Sequence, residues 1–190
     1  MVKRSIADSV MAGGDGDFWV FAYGSLIWDP GFEWLERGPA RLWGYHRAMC
    51  IYSHVWRGTP AAPGLVLGLD RGGSCRGIAY RVAAASRDSV IDYLEARERV
   101  TAVYVERTLP VALEGGGGRV KALTYVADRS HHQYAGRLPA VKAARLIRRG
   151  RGRGGHNIDY LESTVSHLEE LGIPDRPLAG LARLVRRGAD

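Results

Sequence analysis

The sequence has little cysteine, little lysine and no long apolar run. Its 190 residues include two cysteines, Cys50 and Cys75, which do not form a Cys-x-x-Cys pair, so a disulfide framework is excluded and a reducing compartment is expected. No stretch approaches the roughly 18 apolar residues of a transmembrane helix, and Asp8 interrupts the N-terminal region before a signal-peptide core can form. We therefore expect a cytoplasmic protein with no membrane partner.

The basic charge is carried almost entirely by arginine, since only three of the 27 basic residues are lysine. A net charge of +7 attracts anions of every kind without choosing among them. The densest cluster, residues 145–153, lacks the interleaved aromatic residues of a nucleic-acid groove. We interpret it as a solvated helix end followed by a basic loop, and we expect no nucleic-acid partner.

Two other local patterns predict no cofactor site. Gly150, Gly152 and Gly155 satisfy the spacing G-x-G-x-x-G, but they follow a predicted helix and not a strand, which excludes a dinucleotide fold. The pair His131-His132 has no cysteine or carboxylate at metal-ligand spacing. We therefore predict neither a metal nor a cofactor.

Apolar runs and turn residues predict the fold class. The run Phe18–Ala22 is short, fully apolar and rich in strand-forming residues, which favours a buried strand. Further strands are predicted over 41–53, 64–69, 76–82, 103–113 and 121–127, with a hairpin turn at Gly72-Gly73 and a longer loop at 115–118. Helices are predicted over 86–99, 138–149, 157–171 and 178–185. This order predicts an α+β fold, a small, mostly antiparallel β-barrel flanked by α-helices. Residues 1–16 are predicted to be a flexible tail and 17–190 a single domain.

Glu98 is a candidate general base. At 100° per residue, Val90, Ile91, Leu94 and Glu98 fall on one stripe of the helix 86–99, while Asp92, Glu95 and Arg99 fall opposite. Burial and the negative end of the helix dipole both raise a carboxyl pKa, which suits proton transfer near neutral pH. The alternative, a Glu98 side chain that bends to solvent from a frayed last turn, stays open.

The segment Tyr23-Gly24-Ser25-Leu26 ends the first predicted strand. A strand that stops at glycine and serine leaves successive backbone N–H groups free, and such a concave array binds carboxylates or oxyanions. An ordinary tight turn is the alternative interpretation of the same residues.

Several motifs together resemble those of the ChaC-type γ-glutamylcyclotransferase family. The segment Phe21-Ala22-Tyr23-Gly24-Ser25-Leu26-Ile27-Trp28 resembles the family signature, and Tyr93-Leu94-Glu95-Ala96-Arg97-Glu98 is similar to its Tyr-Leu-x-x-Arg-Glu segment. Three further segments resemble the family in the same order: Arg57-Gly58-Thr59-Pro60 with Pro63-Gly64, Tyr134-Ala135-Gly136, and Gly154-x-x-Asn157-x-x-Tyr160-Leu161. The resemblance extends from about residue 19 to about residue 184.

The resemblance implies a compact barrel with flanking helices and an enzyme that acts on glutathione. The γ-glutamyl group would cyclise and leave as 5-oxoproline, releasing Cys-Gly, with no metal or cofactor. Glu98 would be the catalytic base and acid. The implied substrate-binding residues are Val20, Phe21, Ala22, Tyr23, Gly24, Ser25 and Leu26, together with Arg57, Tyr134 and Asn157. Between Glu98 and Tyr104 the link is slightly longer than in the family's eukaryotic members.

Some assignments keep two interpretations. Arg57 pairs either with the glycine carboxylate of glutathione or with a structural carboxylate, and Asn157 either lines the pocket or caps a helix. Two other functions also fit the sequence. One is a cyclotransferase for another γ-glutamyl compound, such as a γ-glutamyl amine, and the other is a basic nucleic-acid-binding protein that uses residues 145–153.

Overall fold

The computed structural model describes residues 16–98 and 102–188, apart from the side chain of Glu98. Apart from Gly16, the predicted tail lies outside the described residues. The described strands are β1 (Phe18–Ala22), β2 (Glu36–Ser53), β3 (Gly64–Val82), β4 (Tyr104–Leu113), β5 (Arg119–Ala127), β6 (Arg151–Gly152) and β7 (Gly155–His156). The α-helices are α1 (Arg87–Glu98), α2 (Ala140–Arg149), α3 (Asn157–Glu170) and α4 (Arg176–Arg187).

Five strands close into a barrel in the spatial order β1-β3-β2-β4-β5. The predicted strand Phe18–Ala22 is confirmed as β1, and all five of its residues are buried. It runs antiparallel to β3 and parallel to β5, which closes the barrel, while the other barrel pairings are antiparallel. The predicted α+β class and the mostly antiparallel barrel are therefore confirmed.

The hairpin predicted at Gly72-Gly73 is wrong, because residues 64–82 form one long strand. The pairing of β2 with β3 extends from Glu36 opposite Arg81 to Ser53 opposite Gly64. Within it, Trp43 lies opposite Ser74 and Tyr45 lies opposite Arg71. Gly44 alone thus faces both Gly72 and Gly73, and all three have positive φ. The glycines form a bulge that bends a paired strand, as barrel closure requires. The chain reverses instead through the loop 54–63, which carries Arg57.

Helix α1 has the predicted buried stripe, with Val90 4% and Leu94 0% exposed. Ile91 is half-buried and Asp92 is exposed, as the pattern requires, whereas Glu95 is half-buried and not exposed as predicted. Burial raises the pKa of Glu106 on β4, and the charge of Glu95 raises it further. One face of α1 therefore packs on the barrel up to its last turn.

Helices α2, α3 and α4 pack on one another, and α2 also contacts β3. None of the described helices combines the length and the apolar character needed to cross a membrane. Both cysteines are buried free thiols, and burial raises the pKa of Cys50 to about 12 and that of Cys75 to about 11. They therefore pack as small apolar side chains.

Candidate active site

A cavity of about 750 Å³ opens where the end of β1, the loop 54–63, the last turn of α1 and the first turns of α3 meet. Its lining combines aromatic rings with polar and cationic groups: Ser25, Trp28, Asp29, Tyr52, Ser53, Trp56, Arg57, Tyr93, Arg97, Tyr104, Asp159, Tyr160 and Ser163, besides Ile51, Val66 and Gly154. A smaller pocket of about 70 Å³ adjoins it and shares Ser25, Tyr104 and Tyr160. We call the larger space the main cavity.

The segment 23–26, which we call the serine turn, lines the smaller pocket, and its Ser25 also lines the main cavity. A 3₁₀ turn begins at Ser25, and Ile27 N donates to Gly24 O at 2.9 Å. Arg47 Nε donates to the Tyr23 carbonyl oxygen at 2.5 Å, and Tyr80 OH donates to that of Ile27 at 2.8 Å. The amides of Gly24 and Ser25 find no acceptor in the part of the chain that the structure describes. The carbonyl groups are thus held by the core while two amides remain available to an anion.

The last turn of α1 reaches the main cavity through Tyr93 and Arg97, four residues apart on one face. Arg97 Nη2 donates to Ser25 Oγ at 2.7 Å, and Nη1 donates to Tyr93 OH at 2.8 Å. Glu98 is the last residue of α1, and its side chain lies outside the described residues. Its role as a base therefore stays a prediction. Tyr93 and Arg97 are not among the site residues predicted from the sequence, although both stand in the segment that resembles Tyr-Leu-x-x-Arg-Glu.

Arg57 lines the main cavity from the loop 54–63. Its Nη1 donates to the carbonyl oxygens of Gly154 and His156, and its guanidinium carbon lies 5.2 Å from the ring centroid of Tyr160. No carboxylate of a described residue forms an ion pair with it. Among residues 16–98 and 102–188, the predicted alternative of a structural salt bridge is therefore not formed.

The glycine-rich segment 150–155 supports the loop that carries Arg57. Arg153 N donates to Val55 O and Gly154 N to Trp56 O, both at 2.9 Å. A Cβ at Gly150 would lie 2.6 Å from the carbonyl oxygen of Arg57. These glycines are therefore explained by close backbone packing. Arg151 and Arg153 are exposed, as the interpretation of 145–153 as a solvated basic loop predicts.

Asn157 is close to this loop but does not line the cavity. Its Oδ1 accepts from Leu65 N at 2.6 Å and its Nδ2 donates to Leu65 O at 2.7 Å, and the residue is completely buried. His156, and not Asn157, precedes the first turn of α3, and the Asn157 side chain makes no capping hydrogen bond. The helix-cap interpretation is therefore wrong, and the side chain instead ties α3 to the start of β3.

Tyr134 lies away from the main cavity, in a groove of about 1430 Å³ that we call the arginine groove. Its hydroxyl donates to Asp70 Oδ2 at 2.9 Å, while Arg129 Nε donates to Asp70 Oδ1 at 2.7 Å. Burial, reinforced by the Asp70 carboxylate, raises the pKa of Tyr134 to about 12. Although burial raises the pKa of Asp70, the hydrogen bonds from Arg129 and Tyr134 outweigh it and hold that pKa below its usual range. Tyr134 thus belongs to a structural cluster.

The first three residues of the predicted substrate segment are core residues. Val20, Phe21 and Ala22 are each 1% exposed. Val20 and Phe21 line the smaller pocket, but Ala22 lines neither the smaller pocket nor the main cavity. The residues that the structure brings together are therefore the serine turn, Arg57 and the end of α1.

Two tyrosines that were not assigned to the site join the two spaces. Tyr104 OH donates to Leu67 O at 2.7 Å, and Leu67 N donates to Tyr160 OH at 3.4 Å. Tyr160 stands in the motif that also contains Asn157, so the motif was the signal for it. Within the described ranges 16–98 and 102–188, no cluster of His, Cys, Asp and Glu is suited to hold a metal ion.

Matches to other proteins cover nearly the whole chain. A family model described as ChaC-like protein matches residues 18–188. The glutathione-specific γ-glutamylcyclotransferase of Escherichia coli (strain K12) is 34% identical over 173 residues, covering 91% of this chain and 74% of that protein. The glutathione-specific γ-glutamylcyclotransferase 1 of Homo sapiens is 33% identical over 153 residues, covering 77% of this chain and 69% of that protein.

A solved structure has the same fold. The selenomethionine-labelled crystal structure of a γ-glutamylcyclotransferase specific to glutathione, from yeast, superposes with a TM-score of 0.80 at 23% identity. The match covers 91% of this chain and 97% of that one. The barrel and its flanking helices are therefore shared across this level of sequence difference.

Proposed function

Since the chain belongs to the ChaC-like family, we propose that it is a lyase that cyclises the γ-glutamyl group of glutathione and releases 5-oxoproline and Cys-Gly in the cytoplasm. One observation carries the proposal. A turn with two amides that donate to no described residue lines the smaller pocket, and its Ser25 also lines the main cavity together with Arg57 and Arg97, neither of which pairs with a described carboxylate. A cavity of about 750 Å³ is also within the usual size range of small-molecule sites.

The proposed reaction needs proton transfer and a folded-back substrate. The α-amine of the glutamyl group attacks its own γ-carbonyl carbon, so one C–N bond forms and the C–N bond to cysteine breaks. The attacking ammonium must first lose a proton. Glu98 would accept it and return it to the departing cysteinyl nitrogen. The ring nitrogen loses a second proton as the lactam forms, and this proton converts the released amine to an ammonium, so no water or other reactant is consumed. Confinement in the cavity would hold the chain in its reactive shape.

The amides of the serine turn and the guanidinium of Arg57 suit the two carboxylates of glutathione. The amides of the serine turn would bind the glutamyl α-carboxylate or stabilise the developing oxyanion. Arg57, on the loop 54–63, would pair with the glycine carboxylate, because a guanidinium presents two parallel donors to such a group. A γ-glutamyl amine lacks this second carboxylate, so Arg57 would favour glutathione over such a compound.

The experiment is product analysis with purified protein and a panel of substrates. Reduced glutathione, glutathione disulfide, a γ-glutamyl amino acid and a γ-glutamyl amine are incubated separately, and 5-oxoproline and Cys-Gly are quantified by mass spectrometry. We expect the fastest turnover with reduced glutathione, and full activity after extensive chelation. Faster turnover of a substrate without the terminal glycine would contradict the specificity. Formation of no 5-oxoproline from any substrate would contradict the reaction.

A further inference from the structure

The side chain of Arg97 joins three separate points at the wall of the main cavity. Besides Ser25 Oγ at 2.7 Å and Tyr93 OH at 2.8 Å, it reaches the carbonyl oxygen of Asp29 at 3.4 Å. All three acceptors are neutral, and no carboxylate of a described residue forms an ion pair with Arg97. The guanidinium is therefore fixed in direction, and within the described residues its positive charge is not paired with a carboxylate.

These contacts determine what the hydroxyl of Ser25 can do. A serine hydroxyl accepts through its oxygen and donates one proton. Arg97 occupies an acceptor position of Ser25 Oγ, and among the described residues no acceptor takes the Ser25 proton. Ser25 lines both the main cavity and the smaller pocket. Its O–H is thus available to an acceptor in this space, and the adjacent cation strengthens it as a donor.

We propose that Arg97 is a positioning residue that acts through Ser25. It fixes the Ser25 hydroxyl as a donor to the glutamyl α-carboxylate and ties the serine turn to the helix that ends in Glu98. The identity of this ligand rests on the proposed function. The other side chains that hold the turn, Arg47 and Tyr80, bind its carbonyl oxygens and so leave the Ser25 hydroxyl to Arg97.

A lysine cannot replace this arrangement. Nη1 and Nη2 of Arg97 reach acceptors on α1 and on the serine turn at the same time, which uses the planar fork of a guanidinium. An ammonium group keeps the charge but has a single donor centre. Arg97→Lys is therefore expected to lose most of the positioning of the Ser25 hydroxyl, and with it glutathione binding, although the net charge is unchanged.

The experiment is a double-mutant cycle measured by 5-oxoproline formation. We compare kcat and KM for glutathione in the wild type, Arg97→Gln, Ser25→Ala and the double variant. Each single change is expected to raise KM about 10- to 100-fold, the usual worth of a hydrogen bond to a charged group. The KM of the double variant is expected to be no higher than that of the weaker-binding single variant, because both changes remove the same linkage between Arg97 and Ser25. Arg183→Gln, an exposed arginine on α4, is the matched control with unchanged KM.

Chemical rescue separates a positioning role from a purely structural one. Added guanidinium ion is expected to restore part of the activity of Arg97→Ala, and none to the variant that also carries Ser25→Ala. Two results would overturn the inference. One is a rise in KM in the double variant that equals the product of the two single rises, and the other is rescue by guanidinium ion in the variant that also carries Ser25→Ala. If the Arg97 variants fail to fold by circular dichroism, Ser25→Ala and Ser25→Thr decide. An unchanged KM in Ser25→Ala overturns the inference, and a raised KM that Ser25→Thr restores supports it.

Failure of the inference and failure of the proposed function give different results. A wild-type protein that forms no 5-oxoproline overturns the proposed function and this inference with it. A wild-type protein that forms 5-oxoproline, with a normal KM in Arg97→Gln, overturns this inference alone.

Discussion

Arginines in two parts of the molecule have different partners. In the arginine groove, three guanidinium groups pair with carboxylates: Arg47 with Asp175 at 2.9 Å, Arg76 with Glu114 at 2.5 Å and Arg129 with Asp70 at 2.7 Å. In the main cavity, Arg57 and Arg97 bind only carbonyl and hydroxyl oxygens of described residues. A guanidinium paired with a carboxylate has its charge neutralised within the protein, whereas one held by neutral oxygens keeps its charge for a ligand. We therefore expect Arg57 and Arg97 to bind a ligand, and Arg47, Arg76 and Arg129 to stabilise the fold.

The largest effect is expected in Glu98→Gln, at the last residue of α1. Glutamine keeps the size of the side chain but cannot accept the ammonium proton, so turnover is expected to fall by roughly 10²- to 10⁴-fold. Glutathione binding is expected to weaken much less, because the amides of the serine turn remain. The measurement is kcat for 5-oxoproline formation, with circular dichroism as a check of folding.

The matched control is Asp92→Asn, an exposed carboxylate on the same helix. It is expected to leave kcat unchanged. Near-normal turnover in Glu98→Gln together with a loss in Asp92→Asn would contradict both the mechanism and the assignment of the helix face.

The next largest effect is expected in the arginine groove, in Arg47→Gln. The Arg47 side chain is 2% exposed and that of Asp175 is 14%, so the change leaves a largely buried carboxylate unpaired. The free energy of unfolding is expected to fall by about 3–5 kcal/mol, measured by urea denaturation. Activity is expected to fall as well, since Tyr23 O loses its donor in the serine turn. Arg186→Gln, which breaks an exposed pair with Glu162, is expected to cost less than about 1 kcal/mol.

The comparison becomes sharper with Arg57→Gln and Arg76→Gln, one arginine from each region. Arg57→Gln is expected to raise KM for glutathione about 10- to 100-fold with little change in stability, because it removes a charge that faces the ligand. Arg76→Gln is expected to leave KM unchanged and to cost less than about 1 kcal/mol of stability, since its pair with Glu114 is partly exposed. The opposite pattern, a KM effect in Arg76→Gln alone, would mean that the assignment of the two regions is reversed.

A smaller effect is expected on the pH dependence of stability, through Asp70 in the arginine groove. Its folded-state pKa lies below its usual value, so the stabilisation is present above the unfolded-state pKa of about 4 and is lost as the pH falls through the folded-state pKa. Asp70→Asn is expected to make the free energy of unfolding less dependent on pH in this acidic range. Urea denaturation at a series of pH values measures it, and an unchanged acid dependence in Asp70→Asn would contradict the role of the cluster with Arg129 and Tyr134.

The smallest effect is expected in the basic segment 145–153. Changing the exposed Arg149, Arg151 and Arg153 to serine is expected to leave KM and kcat unchanged, because their side chains face solvent. Gly152→Ala is the contrasting variant, since a Cβ there would overlap the backbone of Val55 and Trp56. It is expected to raise KM by displacing the loop that carries Arg57. A collapse of turnover in the serine variant with the fold intact would show that the arginine side chains shape the site.

Local patterns in the sequence determined the elements and part of the site. Five consecutive apolar residues are sufficient for the buried strand β1, because each of its faces meets protein. The spacing of Val90 and Leu94 is sufficient for the buried stripe of α1, since helical geometry places them together. The position of the serine turn is also a local feature of the sequence, because glycine and serine end the strand that precedes them.

Only the tertiary structure decided which polar side chains meet. Asn157 binds Leu65 across 92 residues of sequence, and Tyr134 binds Asp70 across 64. Neither pairing has a local signature, so the sequence alone does not place Asn157 or Tyr134 outside the pocket. The same holds for Gly72 and Gly73, which suit a hairpin turn as well as a bulge until the long pairing of β2 with β3 selects the bulge. The sequence thus sets which groups are available, and the closure of the barrel sets which of them are neutralised by one another and which are left to face a ligand.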